Sequence, residues 1–222
     1  MDLLKERGVI FGSSAMVTRE NNELVVGDDF IDMLVEKSCF WMWYFAYMPV
    51  GRAPDINLMP TPEQRLYRFE RIKELREKKD IVLADFWNDA PLVGGCIAGG
   101  RRYLHINNKG DVEPCIFMHF SVDNVREKSL LEILSSNFLS TIRERLPVSD
   151  NLLMPCMIID YPKILRTIIA ETGATPDYPE AKNILEGEIA SFLDDYSDKL
   201  GVLCNPVWDQ YCESIRMGKL TV

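Results

Sequence analysis

The sequence predicts a mixed α/β fold of two βα units, followed by an α+β region with a β-hairpin and C-terminal helices. Strand-like apolar stretches alternate with helical periodicity over residues 1–80, and a hairpin pattern and several helices come after them. The chain has 222 residues, of which 47% are hydrophobic. That is enough to bury one large core or two modest ones.

Composition and charge exclude several classes of function. The formal net charge is −9, which argues against nucleic acid or an anionic membrane as the main partner, because both are bound through positive surface. The longest apolar run, residues 39–50, is too short to span a bilayer, and residues 1–8 lack the apolar core of a signal peptide. Six cysteines without a secretory segment predict a soluble protein of the reducing cytoplasm.

The first part of the chain predicts alternating helices and strands. MDLLKERG ends a helix at Gly8, and VIFGSSAMV follows as a strand. LVVGDDFIDMLVEK predicts a helix with Asp28 and Asp29 near its start. CFWMWYFAYMPVG is apolar at almost every position, which predicts a strand that is buried on both faces of a parallel sheet and has neighbours on both sides.

The next helix has the clearest boundary signals. Thr61 is its predicted N-cap, Pro62 occupies the first helical position and Gln64 completes a capping box. We expect this helix to run from Pro62 to about Lys79. Residues 80–93 should begin as a strand and end in a loop.

Two cysteines bracket a predicted β-hairpin. RRYLHIN alternates in the manner of a strand, Gly110 suits the turn, and the return strand ends at Pro114, so Cys115 lies where pairing stops. The hairpin can bring Cys115 near Cys96. From the residues alone, buried free thiols are the more common state, and the two close cysteine pairs of a zinc site are absent.

The remaining segment predicts helices joined by irregular loops. Ser129 and Glu132 form a second capping box, FLSTIRERL predicts a helix, and two further helices are expected near 161–173 and 179–200. Cys156 lies in a proline-flanked loop, where its thiol can turn towards a site, and a Pro-containing terminal loop holds Cys204. We expect Cys39, His105 and Cys212 to be structural.

Three stretches together resemble the C-terminal half of radical SAM enzymes that carry a SPASM or shorter twitch-type extension. They are KERGVIFGSSAMVTREN, CFWMWYFAYMPVG, and CIAGGRRYLHINNKGDVEPC with DNVREKSLLEIL. The resemblance covers about residues 1–145 and places the first two stretches on the fifth and sixth strands of a partial (β/α)6 barrel. It implies a barrel part at 1–80, a SPASM/twitch-like auxiliary cluster domain at 81–146, and a helical extension at 147–222 that completes the cluster site.

The resemblance also implies an iron–sulfur cofactor. In that family the extension opens with a cysteine, nine to fifteen residues, a glycine, four residues and a cysteine, which Cys96, Gly110 and Cys115 match. It implies one auxiliary 4Fe–4S cluster, because the later cysteine-dense stretch of full SPASM domains is missing. An open iron that meets substrate is one alternative for the fourth position. The implied metal ligands are Cys96, Cys115, Cys156 and Cys204, with Asp160 and His119 as weaker alternatives to Cys204.

The resemblance further implies a partial wall for S-adenosylmethionine. In the family this cofactor lies across the C-terminal ends of the strands. The sequence has no Cys, three residues, Cys, two residues, Cys element, so the cluster that cleaves the cofactor lacks its ligands here. We therefore expect a C-terminal part that is inactive alone and binds S-adenosylmethionine only in the complete enzyme. The implied contacts are Ser14, Thr18, Met48, Pro49, Val50 and Gly51.

Two alternatives to the fragment and several partners remain open. The first alternative is a stand-alone iron–sulfur electron-transfer or binding module. The second is a metal-free interaction domain with six reduced cysteines. As a fragment it would pair with the missing N-terminal half of the barrel, or self-associate through an exposed strand edge. The expected substrate is a peptide or a small molecule.

Overall fold

The protein is a mixed α/β chain that forms two compact units. The structure, a computed structural model, describes residues 1–217. The first unit contains Met1–Pro49 and Asp55–Asp89, and the second contains Val50–Pro54 and the chain from Ala90 onward. The sequence predicted three segments, divided at 80/81 and 146/147, and those limits stay predictions.

The first unit is a three-stranded parallel sheet with helical crossovers. Its strand order is β1-β2-β3, with Gly12 opposite Trp41 and Trp41 opposite Val82. The elements are α1 (Asp2–Glu6), β1 (Gly12–Val17), α2 (Asp28–Glu36), β2 (Trp41–Ala46), α3 (Pro62–Lys78) and β3 (Val82–Asp85), with 3-10 turns at Leu24–Val26 and Ile56–Leu58.

One face of this sheet carries the core of the unit. Met42 and Tyr44 of β2 pack with Leu34 of α2 and Leu75 of α3 in a single buried cluster. Both crossover helices therefore cover the same face of the sheet, as consecutive right-handed βαβ connections do. The capping box of α3 is present, with Thr61 accepting from the Gln64 backbone N–H.

The prediction that β2 is buried on both faces is wrong. Met42 and Tyr44 are fully buried, but Trp41 and Trp43 on the opposite face are 38% and 42% exposed. The strand does have neighbours at both edges, as predicted. The apolar residues of the second face pack against neighbours within the sheet. The ring centroids of Phe45 and Trp43 lie 5.0 Å apart. The Trp41 indole lies so close to Gly12 that a Cβ at position 12 would come within 2.0 Å of it.

A buried ion pair joins α3 to the end of β3. The Arg68 Nε donates to Asp85 Oδ2 over 2.7 Å, and both side chains are inaccessible to solvent. Arg68 also donates to Asn22 Oδ1 at 2.8 Å, and Asn88 donates to Asp85 Oδ2 at 2.9 Å. These hydrogen bonds compensate in part for the loss of hydration of both charges, whereas the buried Arg68 Nη2 has no hydrogen-bond partner among the described residues.

The second unit contains short β ladders and most of the helices. The hairpin pairs β4 (His105–Ile106) with β5 (Val112–Glu113), and β6 (Phe120–Ser121) pairs with β7 (Thr175–Pro176), both antiparallel. The helices are α4 (Ala90–Val93), α5 (Leu130–Leu134), α6 (Asn137–Glu144), α7 (Pro162–Thr172) and α8 (Gly187–Arg216), with a 3-10 turn at Pro179–Ile184. Within residues 1–217, no helix combines the length and apolarity needed to cross a bilayer.

The helix expected near 179–200 is present from Gly187 onward, but its predicted bounds and the loop after it are wrong. Gly187 adopts φ +81° and separates the 3-10 turn from α8, which then continues through Pro206 to Arg216. A buried stripe that includes Leu193, Leu200 and Cys204 runs along α8. This packing maintains the helix where proline removes one backbone hydrogen bond. Cys204 therefore lies on a buried helix face and not in a terminal loop.

A buried carboxylate links the hairpin to β6 and β7. Glu113 Oε2 lies 2.6 Å from His105 Nδ1, its Oε1 lies 3.5 Å from His119 Nδ1, and the Asp177 carboxyl lies against it. Burial raises the pKa of Glu113, but hydrogen bonds from His119, His105 and Asp177 outweigh it and hold the pKa at about 2. Burial and the neighbouring Glu113 raise the pKa of Asp177 to about 6, although the Ser121 hydroxyl opposes this shift.

Removal of the Asp85 carboxylate, the partner of Arg68, should destabilise the first unit. The change Asp85→Ala leaves the Arg68 charge buried without its counterion, and we expect a loss of about 3–5 kcal/mol in the free energy of unfolding. Urea unfolding followed by tryptophan fluorescence measures it, because Trp41, Trp43 and Trp87 lie in this unit. The control is Asp2→Asn, which breaks a solvent-exposed pair with Lys37 and should cost far less. Equal losses would contradict the assigned role of the pair.

The Glu113–Asp177 pair should make stability depend on pH. The folded pKa of Asp177 lies above the ordinary 3.8, so its contribution to stability falls as pH rises from about 4 to about 6. The folded pKa of Glu113 lies below the ordinary 4.5, so its contribution is lost as pH falls from about 4.5 to about 2. In Asp177→Asn, the first of these dependences disappears.

Calorimetric melting temperatures at pH 4.5 and pH 7.5 test this dependence. We expect the melting temperature to fall less between pH 4.5 and pH 7.5 in Asp177→Asn than in the unchanged protein. The control Asp209→Asn, at an exposed position on α8, should fall as much as the unchanged protein. Since both variants retain the histidines and Glu113, a fall in Asp177→Asn equal to that of the control would show that Asp177 does not contribute.

Candidate functional site

Three thiols from separate segments lie together in the second unit. Cys96 follows α4, Cys115 lies two residues beyond β5, and Cys156 lies in the turn before α7. The proximity of Cys96 raises the pKa of both Cys115 and Cys156, and the proximity of Cys115 also raises that of Cys156. The structure therefore brings together three of the four cysteines that the sequence proposed as ligands.

The loop that carries Cys96 is fixed by a neighbouring arginine. Gly94 and Gly95 both adopt positive φ, and the chain turns sharply before the cysteine. Arg101 Nη1 then donates to the carbonyl oxygens of Gly94 at 2.9 Å and Cys96 at 2.8 Å. The guanidinium thus satisfies two carbonyl groups of an irregular loop that has no ladder partner for them.

The hairpin positions Cys115, as the turn residues predicted. Gly110 has φ +93°, and a Cβ there would lie 2.7 Å from Asn124 Oδ1. Asn124 in turn donates to Lys109 O and to Asp111 Oδ1, at 3.1 and 2.8 Å. Glycine at position 110 is therefore required both by the backbone conformation and by the close approach of Asn124.

A tight turn closed by a carboxylate positions Cys156. The Cys156 N–H donates to Asp160 Oδ2 at 2.9 Å, and Cys156 O accepts from the N–H groups of Asp160 and Tyr161. Asp160 is fully buried. Because this carboxylate holds the backbone of the turn, its position agrees better with a supporting role than with that of a direct ligand.

Hydrogen-bond donors surround the three sulfurs. The Cys96 sulfur accepts from the Ala98 N–H and the Cys156 sulfur from the Ile159 N–H. The Cys115 sulfur accepts from the Phe117 and Met118 N–H groups and from the Tyr103 hydroxyl. Donors to sulfur stabilise the thiolate form, which is the form that binds metal.

The surroundings of these three thiols favour their protonated form, unless a cation binds to the sulfurs. Burial, followed by the proximity of Cys96, raises the pKa of Cys115 to about 12. Burial and the Asp160 carboxylate also raise the pKa of Cys156, and burial raises that of Cys96. The proteins that hold iron–sulfur clusters supply such thiols, which bind the iron as thiolates.

Thiols are the usual protein donors to iron–sulfur clusters. Among residues 1–217, no group of three or more His, Cys, Asp or Glu side chains converges closely enough to hold one metal ion. A multi-iron cluster attaches each thiolate to a different iron, so its ligands need not converge on one atom. The residues present therefore fit an iron–sulfur cluster in donor type and burial.

The two histidines lie beside a buried carboxylate. His119 was a weaker alternative ligand, but its ring pairs with Glu113 and packs at a tilt against Tyr178, with ring centroids 4.9 Å apart. The expectation that His105 is structural omitted its partner, although His105 stands directly opposite Glu113 in the hairpin register. That register is the signal from which sequence analysis could have paired them.

The two cysteines expected to be structural differ from each other. Cys39 lies just before β2 in the core and donates to Trp41 O at 3.2 Å, so the prediction of a buried thiol is confirmed. Cys212 lies on α8, as its helical spacing predicted, but is only half-buried.

The residues proposed to contact S-adenosylmethionine lie in two regions. Ser14 lies within β1 and not at its end, whereas Thr18 follows β1 directly. Met48 and Pro49 follow β2 in the first unit, and Val50 and Gly51 belong to the second unit. Their role as cofactor contacts stays a prediction.

Tyr103 is the residue at this site that the sequence analysis did not single out as functional. Its hydroxyl hydrogen-bonds to the Cys115 sulfur, and burial and the three nearby thiols raise its pKa. No signal in the sequence marks it, because a tyrosine in an alternating strand pattern is an ordinary hairpin residue.

The comparison with protein families agrees with this grouping. Residues 96–157 match the family model of SPASM, an iron–sulfur cluster-binding domain. No curated protein matches the chain. The matched segment begins at Cys96 and ends one residue after Cys156, so it includes the three thiols and excludes Cys204. This match supports the SPASM part of the resemblance seen in the sequence, and it suggests that residues 96–157 bind an iron–sulfur cluster.

Proposed function

We propose that the second unit binds one auxiliary 4Fe–4S cluster, which anchors substrate or relays electrons for a radical SAM reaction. The observation that carries this proposal is the grouping of Cys96, Cys115 and Cys156 within the segment that matches SPASM. When bound, such a cluster supplies one-electron redox chemistry or an iron that accepts a ligand. The protein supplies thiolates, hydrogen-bond donors and an apolar enclosure.

The chain's own residues hold the three sulfurs in place. Arg101 fixes the loop of Cys96, and Asp160 closes the turn of Cys156. Backbone N–H groups donate to each sulfur and stabilise its negative charge. We propose Cys204 only as a candidate fourth ligand, because its place on the buried face of α8 removes the loop setting that first suggested it.

We propose that radical generation occurs at a second cluster that this sequence does not ligate. The sequence contains no Cys, three residues, Cys, two residues, Cys element, so cleavage of S-adenosylmethionine would require another segment or chain. On its own, this chain should not cleave that cofactor. Binding of S-adenosylmethionine at Ser14, Thr18 and residues 48–51 belongs to the same proposal.

A stand-alone electron-transfer module is the second candidate function. It is favoured by one observation, that all three thiols lie within a single compact unit. Reversible reduction of the cluster in the absence of any other chain would support it. A metal-free interaction domain, the third alternative, requires that no iron or sulfide be incorporated.

Alanine at each grouped thiol should abolish or impair cluster binding. After anaerobic reconstitution, we expect stoichiometric iron and sulfide and a visible charge-transfer band in the unchanged protein. Each of Cys96→Ala, Cys115→Ala and Cys156→Ala should lose most of the iron and the band, because each removes one thiolate ligand. Iron and sulfide analysis with the visible spectrum measures the loss.

Two further cysteine variants sharpen this experiment. Cys212→Ala is the matched control, because this half-buried thiol lies on α8 outside the matched segment, and it should retain full iron content. Cys204→Ala loses iron only if that sulfur is the fourth ligand. Unchanged protein without iron or sulfide after reconstitution would overturn both cluster functions.

We also propose self-association, or pairing with an N-terminal barrel half, through the open edge of β1. In the described residues, β1 has a hydrogen-bonded neighbour on the β2 side only. Its Met16 is an exposed apolar residue, and unprotected apolar edge strands favour pairing with another chain.

Association should weaken when β1 carries a charge. We expect sedimentation to show concentration-dependent oligomers of the unchanged protein, and Met16→Lys should shift them towards the monomer, because lysine on an edge strand opposes pairing. Leu131→Lys, at an exposed apolar position on α5, is the control and should leave association unchanged. A concentration-independent monomer would contradict this proposal.

A further inference from the structure

We propose that a groove between α7 and α8 binds an α-amino acid with a large apolar side chain, whose carboxylate pairs with Lys163 and whose ammonium group pairs with Asp198. This inference does not rest on the proposed function, because none of the three grouped thiols lines the groove. It assigns to the C-terminal helices a binding site of their own.

The groove lies wholly within the second unit. Its volume is about 590 Å³, which falls within the range of small-molecule sites, about 300–1,000 Å³. The start of α7 forms one wall with Pro162 and Lys163, and α8 forms the other between Asp194 and Asn205. Met154, in the loop before α7, adds apolar lining. A ligand in the groove would contact both helices and this loop.

The walls of the groove are joined by hydrogen bonds. Asn151 Nδ2 donates to Asn205 Oδ1 at 2.8 Å, and the Ser197 hydroxyl donates to Asp160 O. These bonds connect α8 to the segment before α7, so the shape of the groove is set before a ligand binds. A preformed site avoids part of the entropic cost of ordering its walls on binding.

Three charged side chains line the groove, and one of them is already neutralised. The Asp194 carboxylate accepts from Arg166 Nη1 at 3.0 and 2.9 Å. Lys163 Nζ and Asp198 Oδ2 lie 4.0 Å apart, and their side chains are 68% and 74% exposed. An exposed pair at this distance is weak and opens readily. The groove therefore offers one cation and one anion, which a zwitterion matches and a singly charged ligand does not.

The separation of these two charges suits an α-amino acid. In such a ligand the nitrogen and the carboxylate carbon are about 2.5 Å apart, because both are bonded to the same carbon. Lys163 Nζ and Asp198 Oδ2, 4.0 Å apart, can face the ligand carboxylate and ammonium group at the same time. The two dipoles then lie antiparallel, and each charge has an opposite neighbour.

A glycine on α8 leaves space for the side chain of the ligand. Gly201 lies inside a 30-residue helix, where alanine is the more favourable residue. A Cβ at position 201 would meet only Met154 among the described residues, at 3.9 Å, which is an ordinary contact distance. Packing within the chain therefore does not require glycine here. The space lies beside Met154, a flexible apolar side chain that can adjust to a ligand.

Calorimetric titration of the full chain with L-phenylalanine tests this site. We expect saturable binding. Phenethylamine lacks the carboxylate and hydrocinnamate lacks the ammonium group, so each loses one exposed ion pair and should bind about threefold more weakly. Glycine keeps both charges but has no side chain to bury, and it should bind at least about tenfold more weakly.

Substitutions in both walls test the assigned contacts. Lys163→Gln and Asp198→Asn should each weaken the binding of L-phenylalanine about threefold, and Gly201→Leu, which fills the space on α8, should abolish it. The matched controls are Lys199→Gln and Asp195→Asn, at exposed positions of α8 outside the groove. Both controls should bind as the unchanged protein does.

The outcomes separate this site from the proposed function. Absence of L-phenylalanine binding, or equal affinity for phenethylamine and hydrocinnamate, overturns the amino-acid site and leaves cluster binding intact. Equal affinity in the Lys163 and Asp198 variants and their controls also overturns it. Because both side chains are exposed, these variants decide the question even if Gly201→Leu does not fold. The titration needs no iron, so failure of cluster binding leaves this test unaffected.

Discussion

The second unit depends on the convergence of three sulfur atoms from separate parts of the chain in one poorly solvated pocket. Burial raises the pKa of Cys96, Cys115 and Cys156, and the nearby Cys96 sulfur raises those of Cys115 and Cys156 further. Without a cation, thiols in such a pocket stay protonated, and ionisation would be costly. The hydrogen bonds of Arg101 and Asp160 to the backbone are therefore a precondition of the site, because they hold two sulfur-bearing loops close before any metal compensates for the thiolates.

Local chemistry explains which parts of this arrangement could be predicted from the sequence. The capping boxes at Thr61 and Ser129 formed as expected, since each involves residues three positions apart. The hairpin formed because Gly110 supplies the positive φ that its turn requires. The convergence of Cys156 with the hairpin thiols followed from the family resemblance and not from spacing, because the contact is long-range.

Packing explains the incorrect predictions. The hydrophobicity of β2 is uniform, but its burial alternates, because α2 and α3 cover one face of the sheet. A proline beside Cys204 predicted a loop, yet the buried stripe of α8 keeps the helix intact through Pro206. Similarly, Asp177 is distant in sequence from Glu113, and only the pairing of β6 with β7 brings the region of Asp177 to the hairpin. In each case the deciding contact joins segments that no local pattern relates.

The three sulfurs differ in their surroundings. Cys115 receives three hydrogen bonds, one of them from Tyr103, whereas the Asp160 carboxylate raises the pKa of Cys156 and so opposes negative charge there. Negative charge is therefore better stabilised at the Cys115 sulfur than at the Cys156 sulfur, because donors attract negative charge and a carboxylate repels it. Thiols of equal chemical type thus acquire different properties from their neighbours, and Tyr103 and Asp160 set the direction of that difference.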